Sequence, residues 1–484
     1  MRWTIKPKPD PSKVARLSQE LAVDSTTSFL LAQRGIETFE EAKNFFRPDL
    51  NDLHDPFLMK DMEKAVARIE EAVENQENIL VYGDYDVDGT TSVALMSSYL
   101  LSFYPNVATY IPDRYDEGYG ISYKGIDFAE DNNFSLIIAL DCGIKAIDKV
   151  AYATKKGVDF IICDHHRPGA EIPKAKAVLD PKQEDCEYPF KELCGCGVGF
   201  KLIQALASKK GETINDLVLY LDLVATAIGA DIVPIVGENR ILAYHGLKVI
   251  NENPRPGFEA ILKQVKKEKL TITDVVFIIA PRINAAGRMK HGNHAVTLLC
   301  ETDINLAAEY AIDIDTYNTD RRDADKRITI DALAQIEENK EQDRFTSVVY
   351  NENWHKGVIG IVASRITETY YRPTLVFTKS GEMLAASARS VKGFDVYNAL
   401  EKCSEFIEQF GGHKYAAGLT LKPENYAAFK SQFEKVVEET IDPKMLIPEI
   451  SIDSQISLSD ITPKFYRILS QFAPFGPNNM TPVF

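Results

Sequence analysis

The 484-residue sequence has little of three features that mark particular classes of protein. It has no excess of positive charge: 55 Lys and Arg stand against 71 Asp and Glu, a formal net charge of −16. This balance argues against a protein that coats nucleic acid through its overall charge, although a local basic groove remains compatible with it. It also has no apolar run near the roughly 18 residues of a membrane span and no charged-then-apolar leader at its start. We therefore expect a soluble, cytoplasmic protein without a membrane partner.

Cysteine is too scattered for a disulfide framework or a zinc site. The seven cysteines are odd in number, which is typical of a reducing compartment. Cys194 and Cys196 are separated by one residue and have no matching second pair, so close packing around glycine explains them better than zinc does.

Glycine and proline are absent between Asn293 and Lys356. Within that stretch, Asp313 to Lys326 is strongly charged and almost devoid of large apolar side chains. The pattern predicts a long, partly exposed helix that bridges two domains. We therefore expect an N-terminal extension (1–44), an α/β domain (45–290), a linker helix (291–343), a smaller α/β domain (344–442) and an incomplete β segment (443–484).

Alternating strand and helix patterns indicate a doubly wound α/β fold with a parallel sheet. The first part of the chain predicts helices at 12–34, 61–75, 90–103, 122–131, 145–156, 197–209 and 215–229, and strands at 78–83, 107–111, 136–140, 159–163 and 177–179. The second α/β domain predicts strands at 346–350, 374–378 and 383–388, and helices at 358–369, 396–409 and 423–438. After Pro443, short alternating segments indicate further β structure.

Three of the predicted strands end in side chains of the metal-ligand type. They are followed by Asp84-Tyr85-Asp86-Val87-Asp88, by Asp141 and by Asp164-His165-His166. The carboxyl ends of parallel strands meet at one edge of the sheet, where ligand and catalytic sites form. Such a crowd of carboxylates is tolerable only around divalent cations.

The first of these segments has an acid at every second position, so an extended backbone would aim all three to one side. Gly89 would then permit the turn into a helix that begins at Thr90. A calcium loop is the alternative interpretation, but an EF-hand would place a Glu where this chain has Leu95.

The other ligand candidates also have simpler interpretations. Asp141 alone could be a helix cap, and Asp164-His165-His166 a turn with one structural histidine. Their shared sheet edge makes metal binding the better interpretation. Asp231 is the predicted remaining ligand, and Asp222 is more simply explained as a helix cap.

Carboxylate oxygens with one or two imidazoles suit Mn²⁺ or Mg²⁺ better than zinc. Two such ions about 3.5 to 4 Å apart would generate a hydroxide nucleophile and clamp both oxygens of an in-line phosphoryl displacement. The sequence therefore predicts hydrolysis of a phosphoester or phosphoanhydride.

Further segments could bind phosphate groups through cations or backbone amides. Arg282-Ile283-Asn284-Ala285-Ala286-Gly287-Arg288 places two cations around small residues, and the segment from Gly411 to Gly418 offers free backbone amides beside His413. Ser387 with Arg389, and Trp354-His355 with Arg365, are similar signals. Each is weak alone, because a Gly-Gly pair is commonly a tight turn and a Trp is commonly a core residue.

Together these segments resemble the DHH phosphoesterase family and, within it, the RecJ-type single-strand-specific DNA exonucleases. The segment from Val81 to Gly89 is similar to the first motif of the family, and Asp141-Cys142-Gly143 to the second. Asp164-His165-His166 is similar to the signature that names the family, and Ala230-Asp231 to its fourth motif. The RecJ-like features are Asp113-Arg114, the segment from Glu117 to Gly120, 281–288 and 411–418, and the resemblance runs from about residue 45 to the end.

The resemblance implies a parallel-sheet DHH domain joined by a long helix to a smaller α/β DHH-associated domain, followed by the start of a truncated β (OB-like) domain. It implies an enzyme that uses two Mn²⁺ or Mg²⁺ ions to hydrolyse single-stranded DNA from 5′ to 3′ into mononucleotides, in DNA repair and recombination. We further expect a monomer, with a helicase and a single-strand-binding protein as candidate partners.

Residue roles follow from the matching motifs. One ion would be held by Asp84, Asp86 and Asp141, and the other by Asp88, Asp141, His165 and Asp231, with His166 near the scissile phosphate. The residues expected to be catalytic are Asp86, Asp88, Asp141, His165, His166 and Asp231. The residues expected to contact the strand are Arg114, Arg282, Arg288, Trp354, His355, Arg365, Ser387, Arg389, Gly412 and His413.

Two alternatives remain open at this stage. A small-molecule phosphohydrolase of the same family, such as a manganese pyrophosphatase, a nanoRNase or a cyclic-dinucleotide phosphodiesterase, would use nearly the same ligands. The Arg282 to Arg288 segment and the long helix favour the polymer nuclease. A non-catalytic scaffold with the same architecture is disfavoured because all expected ligands are present.

Overall fold

The computed structural model describes residues 1–265 and 267–484. These residues form two compact units, the first made of Pro7–Asn318 with Asp453–Phe484 and the second of Met1–Lys6 with Thr319–Ile452. None of the described helices is both long and apolar enough to cross a membrane.

The strands, in chain order, are β1 (Arg2–Ile5), β2 (Asn78–Gly83), β3 (Val107–Tyr110), β4 (Phe134–Leu140), β5 (Asp159–Cys163), β6 (Ala177–Leu179), β7 (Ser347–Tyr350), β8 (Thr374–Ser380), β9 (Met383–Arg389), β10 (Gln409–His413), β11 (Ala416–Leu421) and β12 (Glu449–Ile452). The α-helices are α1 (Pro11–Leu21), α2 (Ser25–Gln33), α3 (Phe39–Phe46), α4 (Met62–Glu74), α5 (Val87–Leu101), α6 (Tyr123–Asp131), α7 (Ile147–Lys155), α8 (Gly195–Lys209), α9 (Leu221–Ala230), α10 (Gly237–Glu252), α11 (Pro256–Lys263), α12 (Ile272–Asp274), α13 (Ala280–Met289), α14 (Asn293–Cys300), α15 (Ile304–Glu338), α16 (Ile359–Tyr370), α17 (Val396–Glu401), α18 (Tyr426–Thr440) and α19 (Pro463–Ser470).

The first unit contains the predicted parallel sheet, with strand order β3-β2-β4-β5-β6 and every pair parallel. Apolar residues of alternating parity cover its two faces. Val81 and Ile138 face a core that includes α5, α8 and α9, whereas Leu80 and Ile137 face a core that includes α6 and α7. Helices on both faces explain why the central strands are nearly continuous apolar runs, and the doubly wound architecture is confirmed.

The second unit contains a mixed sheet of order β10-β11-β9-β8-β7, in which only β7 and β8 run parallel. Its core is formed with α17 and α18. A separate pair joins β1 to β12 in parallel. The predicted long helix is present as α15, which runs unbroken for 35 residues, as expected from a stretch that lacks glycine and proline.

Three predicted elements are wrong. The single helix at 12–34 is two helices, because Ala22 adopts a left-handed φ of 52° and Asp24 caps α2. The helix at 396–409 ends at Glu401, and Gln409 already belongs to β10. After β12 the described chain forms α19, capped by the Thr462 side chain, where β structure was predicted; a local cap signal therefore outweighed the alternating pattern.

Candidate metal centre

The candidate metal centre lies at the carboxyl edge of the parallel sheet. Gly83 pairs with Leu140, and Leu140 pairs with Cys163, so the polar segments that follow β2, β4 and β5 begin side by side. The sheet thus brings together groups that are far apart in the chain.

The acids after β2 do not share one extended side, as the sequence had suggested. Helix α5 begins at Val87, earlier than predicted, because Oδ1 of Asp86 accepts a hydrogen bond from the Gly89 amide at 3.0 Å. Gly89 serves close packing, not a turn, since a Cβ there would lie 2.4 Å from the backbone oxygen of Asp84. Asp84 itself is buried; its Oδ1 accepts a hydrogen bond from the Gly120 amide and its Oδ2 has no partner among the described residues.

Asp88 occupies the first turn of α5 and faces the start of α8. Its two oxygens accept hydrogen bonds from the backbone amides of Gly195 at 2.6 Å and Cys196 at 2.8 Å. A helix N-terminus favours a carboxylate through these free amides and the helix dipole. The Cys194 to Cys196 segment therefore holds an acid in place through its backbone amides.

Asp141 is the central acid of the cluster. Its φ is 60°, and both carboxylate oxygens are buried without a hydrogen-bond partner among the described residues. Nε2 of His165 lies 3.2 Å from Oδ1 of Asp141, 3.6 Å from Oδ2 of Asp231 and 3.8 Å from Oδ2 of Asp88. In the described chain, two sets of ligand atoms lie within 4.8 Å of one another: Asp141 with His165 and His166, and Asp88 with His165 and Asp231.

The pKa values show that this cluster is unfavourable for carboxylates without a cation. Burial, and then the charge of Asp86, raise the pKa of Asp84 to about 8 and that of Asp88 to about 7. Burial, and then the charge of Asp88, raise the pKa of Asp231 to about 8 and that of Asp141 well above its usual range.

His165 is held in its neutral form, because burial and then the charge of His166 lower its pKa to about 3. A neutral imidazole keeps the lone pair that a metal ligand needs. Orphaned carboxylate oxygens around a neutral ring fit Mn²⁺ or Mg²⁺, which prefer oxygen donors with some nitrogen. The geometry gathers Asp88, Asp141, His165 and Asp231 most closely, while the roles of Asp84 and Asp86 as ligands stay predictions.

Both ring nitrogens of His166 have polar partners that orient the ring. Its Nδ1 lies 2.8 Å from Oδ1 of Asp164, and its Nε2 lies 3.2 Å from the hydroxyl of Tyr119. Burial opposes the charged ring, but the hydrogen bond and charge of Asp164 raise its pKa to about 9. Burial likewise opposes the charge of Asp164, but hydrogen bonds from His166 and from the Ile144 amide lower its pKa to about 2. Asp164 therefore positions His166.

Sequence reasoning missed two residues at this edge. Tyr119 was noted only as part of a motif, and nothing in its spacing pointed to the imidazole of His166. Asp180 follows β6 and is fully buried with Oδ2 unpartnered in the described chain; burial raises its pKa to about 7. The rule that polar residues after neighbouring strands converge would have found Asp180.

Asp222 was predicted to be a helix cap. Tyr220 is the N-cap residue of α9, but Asp222 lies in the first turn, where its Oδ1 accepts a hydrogen bond from the Leu223 amide at 2.7 Å. Its carboxylate makes two hydrogen bonds of 2.7 Å with the guanidinium of Arg255. The pair is buried, which requires that both charges be matched.

In the first unit, the residues predicted to contact a nucleic-acid strand are cations that already have partners within the protein. Arg282 lies 2.8 Å from Asp315 and donates to the carbonyl of Ile278. The guanidinium of Arg114 stacks 3.8 Å from the ring centre of Tyr85. Arg288 lies half-buried at the end of α13.

In the second unit, the pairing of β-strands brings together several residues that were predicted to contact a nucleic-acid strand. Ala416 of β11 pairs with both His413 and Arg389, so these two side chains lie on the same face of the sheet. The guanidinium of Arg389 donates to Oγ of Ser387 at 3.1 Å. The segment around Gly412 was predicted to offer free backbone amides, but Gly412 lies within β10 and pairs with Ala417 of β11.

The remaining predicted contacts in this unit are Trp354, Arg365 and His355; Trp354 and Arg365 already have acidic partners. Trp354 is only 6% exposed and its indole donates to Asp331 at 2.7 Å, so the structure gives no support to stacking by this residue. Arg365 binds Asp325 through two nitrogens. His355 is half-buried, and burial lowers its pKa.

The fold and this centre are those expected of the DHH family. The DHH family, N-terminal domain, matches residues 78–228, the DHHA1 domain matches 343–439 and the RecJ OB domain matches 452–484. The chain belongs to the RecJ family of single-stranded-DNA-specific exonucleases, as its similarity to curated members shows.

The curated RecJ of Bacillus subtilis is 38% identical over the whole chain, which spans 61% of that protein's length. RecJ of Escherichia coli is 33% identical, with 94% of this chain and 82% of that protein aligned. A structure of Thermus thermophilus RecJ in complex with Mn²⁺ aligns with a TM-score of 0.87, at 27% identity, over 100% of this chain and 69% of that one. A structure of the same protein with Mg²⁺ aligns with a TM-score of 0.80, at 26% identity, over 100% of this chain and 67% of that one.

Proposed function

We propose that this chain is a metal-dependent exonuclease that hydrolyses single-stranded DNA from 5′ to 3′ into mononucleotides, in DNA repair and recombination. The observation that carries the proposal is the meeting of Nε2 of His165 with oxygens of Asp88, Asp141 and Asp231 within 4 Å. The names of its curated relatives, single-stranded-DNA-specific exonucleases, supply the substrate.

In this proposal Asp84, Asp86 and Asp141 hold one ion, and Asp88, Asp141, His165 and Asp231 hold the other. When bound, such ions supply a hydroxide nucleophile at neutral pH and neutralise charge on the phosphate. Neither carboxylate oxygen of Asp141 has a hydrogen-bond partner among the described residues, so both would be available as metal ligands.

The side chains around the ions would orient the substrate. Asp164 accepts from Nδ1 of His166, so the protonated ring presents its Nε2–H outward, beside Tyr119. That N–H would donate to an oxygen of the scissile phosphate. Arg114, Arg282 and Arg288, together with the cluster around Arg389, would contact the phosphates of the strand, with backbone amides adding further donors.

The domain division predicted from the sequence carries over as part of this proposal, with chemistry in the DHH domain and strand binding in the DHH-associated domain. A monomer that works with a helicase and a single-strand-binding protein is also proposed, in a cytoplasmic setting. These points rest on the resemblance to the family.

The decisive experiment compares end-labelled single- and double-stranded DNA of both polarities with Mn²⁺, Mg²⁺ or a chelator. We expect mononucleotides from the 5′ end of single strands only, and none with the chelator. Products from duplex ends, or activity that survives chelation, would contradict the proposal. Dinucleotides and pyrophosphate in parallel reactions test the small-molecule alternative, which predicts faster turnover of these than of long strands.

A further inference from the structure

Two large apolar side chains are exposed where the backbone beside the metal centre is irregular. Ile232 follows the proposed ligand Asp231 directly, and it is 66% exposed with a left-handed φ of 60°. Phe277 is 73% exposed within a π-helical turn, Val275–Ile279. The packing of the core explains neither the exposure of these two side chains nor the irregular backbone at these positions.

Ile232 occupies the position after a helix C-terminus that normally takes glycine. Helix α9 ends at Ala230 and Asp231 is its last capping residue, so the next residue closes the helix in the left-handed region. A β-branched residue at such a φ is a genuine outlier, because its Cβ crowds the backbone. Backbone strain of this kind clusters at functional sites, and here the strained residue also leaves its side chain in solvent.

The π-helical turn that contains Phe277 ends just before Pro281. Pro281 lies at the start of α13 and has no amide to continue the ladder, and the Ala280 amide bonds to Val275 five residues back. Such π turns are frequent at functional sites. The next cation is Arg282, whose guanidinium bonds the carbonyl of Ile278 at the same turn.

The two residues flank one packing contact. The π turn packs on α9, where a Cβ on Gly229 would lie 3.5 Å from a methyl group of Val276. Gly229 is three residues before Ile232, and Val276 directly precedes Phe277. Ile232 directly follows Asp231, whose carboxylate faces His165, and Phe277 lies on the turn that packs against the same helix, α9.

We propose that Ile232 and Phe277 form an apolar lip that stacks against an unpaired nucleobase of the strand whose backbone occupies the metal centre. An unpaired base offers the flat apolar face that exposed aromatic and aliphatic side chains accept. The continuity with Asp231 on one side and Arg282 on the other selects this occupant. The inference rests on the proposed function and adds a contact that would read single-stranded character.

The test combines substitution of each lip side chain with removal of single bases from the oligonucleotide. Binding of a short 5′-phosphorylated oligothymidylate is measured by fluorescence anisotropy in chelator, and is compared with oligomers that carry one abasic nucleotide at successive positions. We expect Phe277→Ala and Ile232→Gly each to weaken binding of the intact oligomer about tenfold. Against the oligomer that lacks the stacked base, both should bind like the parent, and Phe277→Tyr should retain parent affinity for the intact one.

Two controls separate the lip from general damage. Leu219→Ala removes another exposed apolar side chain, 58% exposed, and Ala22→Gly relieves another left-handed residue, φ 52°; neither should alter binding. Ile232→Gly should unfold at a temperature no lower than the parent, since glycine adopts this φ freely.

Equal losses on intact and abasic strands, or no loss on either, would overturn the lip while leaving the nuclease proposal intact. A parent protein that hydrolyses no single strand with Mn²⁺ or Mg²⁺ would overturn the nuclease proposal itself. A parent that binds no single strand would overturn both.

Discussion

Asp141 is the residue on which the proposed centre depends most. Its carboxylate is buried, has no hydrogen-bond partner among the described residues, and faces the acids Asp88 and Asp231. Such a group is costly in the metal-free protein and useful only when cations neutralise it.

We therefore predict opposite effects of Asp141→Asn on activity and on stability. Hydrolysis should fall by about three orders of magnitude or more, because a ligand shared by both ions is lost. The metal-free protein should unfold at a higher temperature at pH 8, because a repelled carboxyl becomes neutral. Asn also tolerates the left-handed φ of this position. Steady-state kinetics and thermal unfolding in chelator check the two parts; unchanged turnover would refute the bridging role.

The pH dependence of stability should also report the centre. Because the pKa values of Asp84, Asp88 and Asp231 are raised to about 7 to 8 in the folded state, folded protein binds more protons than unfolded protein between about pH 4 and 8. The stability that these groups contribute is present below their unfolded pKa and is lost as pH rises through 7 to 8. His166, with its pKa raised to about 9, acts in the same direction.

We thus expect the unfolding temperature in chelator to fall from pH 5 to pH 9. Added Mn²⁺ should remove much of that fall, because cations replace the protons. The stabilisation by Mn²⁺ should be small at pH 6 and largest above pH 8. Thermal unfolding with and without Mn²⁺ across this range is the measurement, and a metal effect that grows towards acid pH would contradict the assignment.

Tyr119 should act on catalysis through His166. Tyr119→Phe removes the hydroxyl that lies 3.2 Å from Nε2 and keeps the ring against Tyr85. We expect kcat to fall about tenfold with KM for single strands little changed, since a positioning contact counts most in the transition state. Tyr123→Phe, on α6, is a matched control that should leave kcat alone.

Among the secondary-structure elements, helix α8 matters because its first residues build the centre. Its N-terminal amides bind Asp88, and Gly195 lets Asp141 approach, since a Cβ there would lie 2.6 Å from Cβ of Asp141. The backbone of Asp141 would also be too close to this Cβ, so a shift of the Asp141 side chain alone would not relieve the clash.

Gly195→Ala should therefore cripple metal binding while leaving most of the fold in place. We expect Mn²⁺ affinity, measured by calorimetry, to fall at least about tenfold, because Asp88 and Asp141 are both displaced. Gly169→Ala is the control, since the nearest atom to its Cβ would be 3.5 Å away. Parent-like Mn²⁺ affinity in Gly195→Ala would show that the centre is looser than its packing indicates.

For the whole molecule, the net charge of −16 means that strand binding must depend on a few local cations. Arg389 is one of them, since its guanidinium donates to Ser387 and to the Ala388 carbonyl and makes no ion pair with a carboxylate of the described residues. Each phosphate contact contributes to the salt dependence of binding through counterion release.

Arg389→Gln should weaken single-strand binding and reduce the slope of log affinity against log salt by about 0.7, the value expected for one phosphate contact to a single strand. Turnover of thymidine 5′-(p-nitrophenyl phosphate) should stay unchanged. Lys435→Gln, an exposed residue of α18 near Glu439, should alter neither quantity. Normal binding with lost chemistry in Arg389→Gln would contradict the proposed division of labour between the domains.

The parallel sheet, the long helix and the types of ligand were predictable from local patterns. These patterns are apolar runs such as Leu136–Leu140, the absence of glycine and proline around α15, and acids placed directly after strands. Which atoms contact one another in the site was evident only from the three-dimensional fold. The hydrogen bonds from the first amides of α8 to Asp88, the ion pair of Asp222 with Arg255 and the contact of Tyr119 with His166 all join residues that are far apart in the chain. Sequence spacing carries no record of such contacts, since they depend on how whole elements dock.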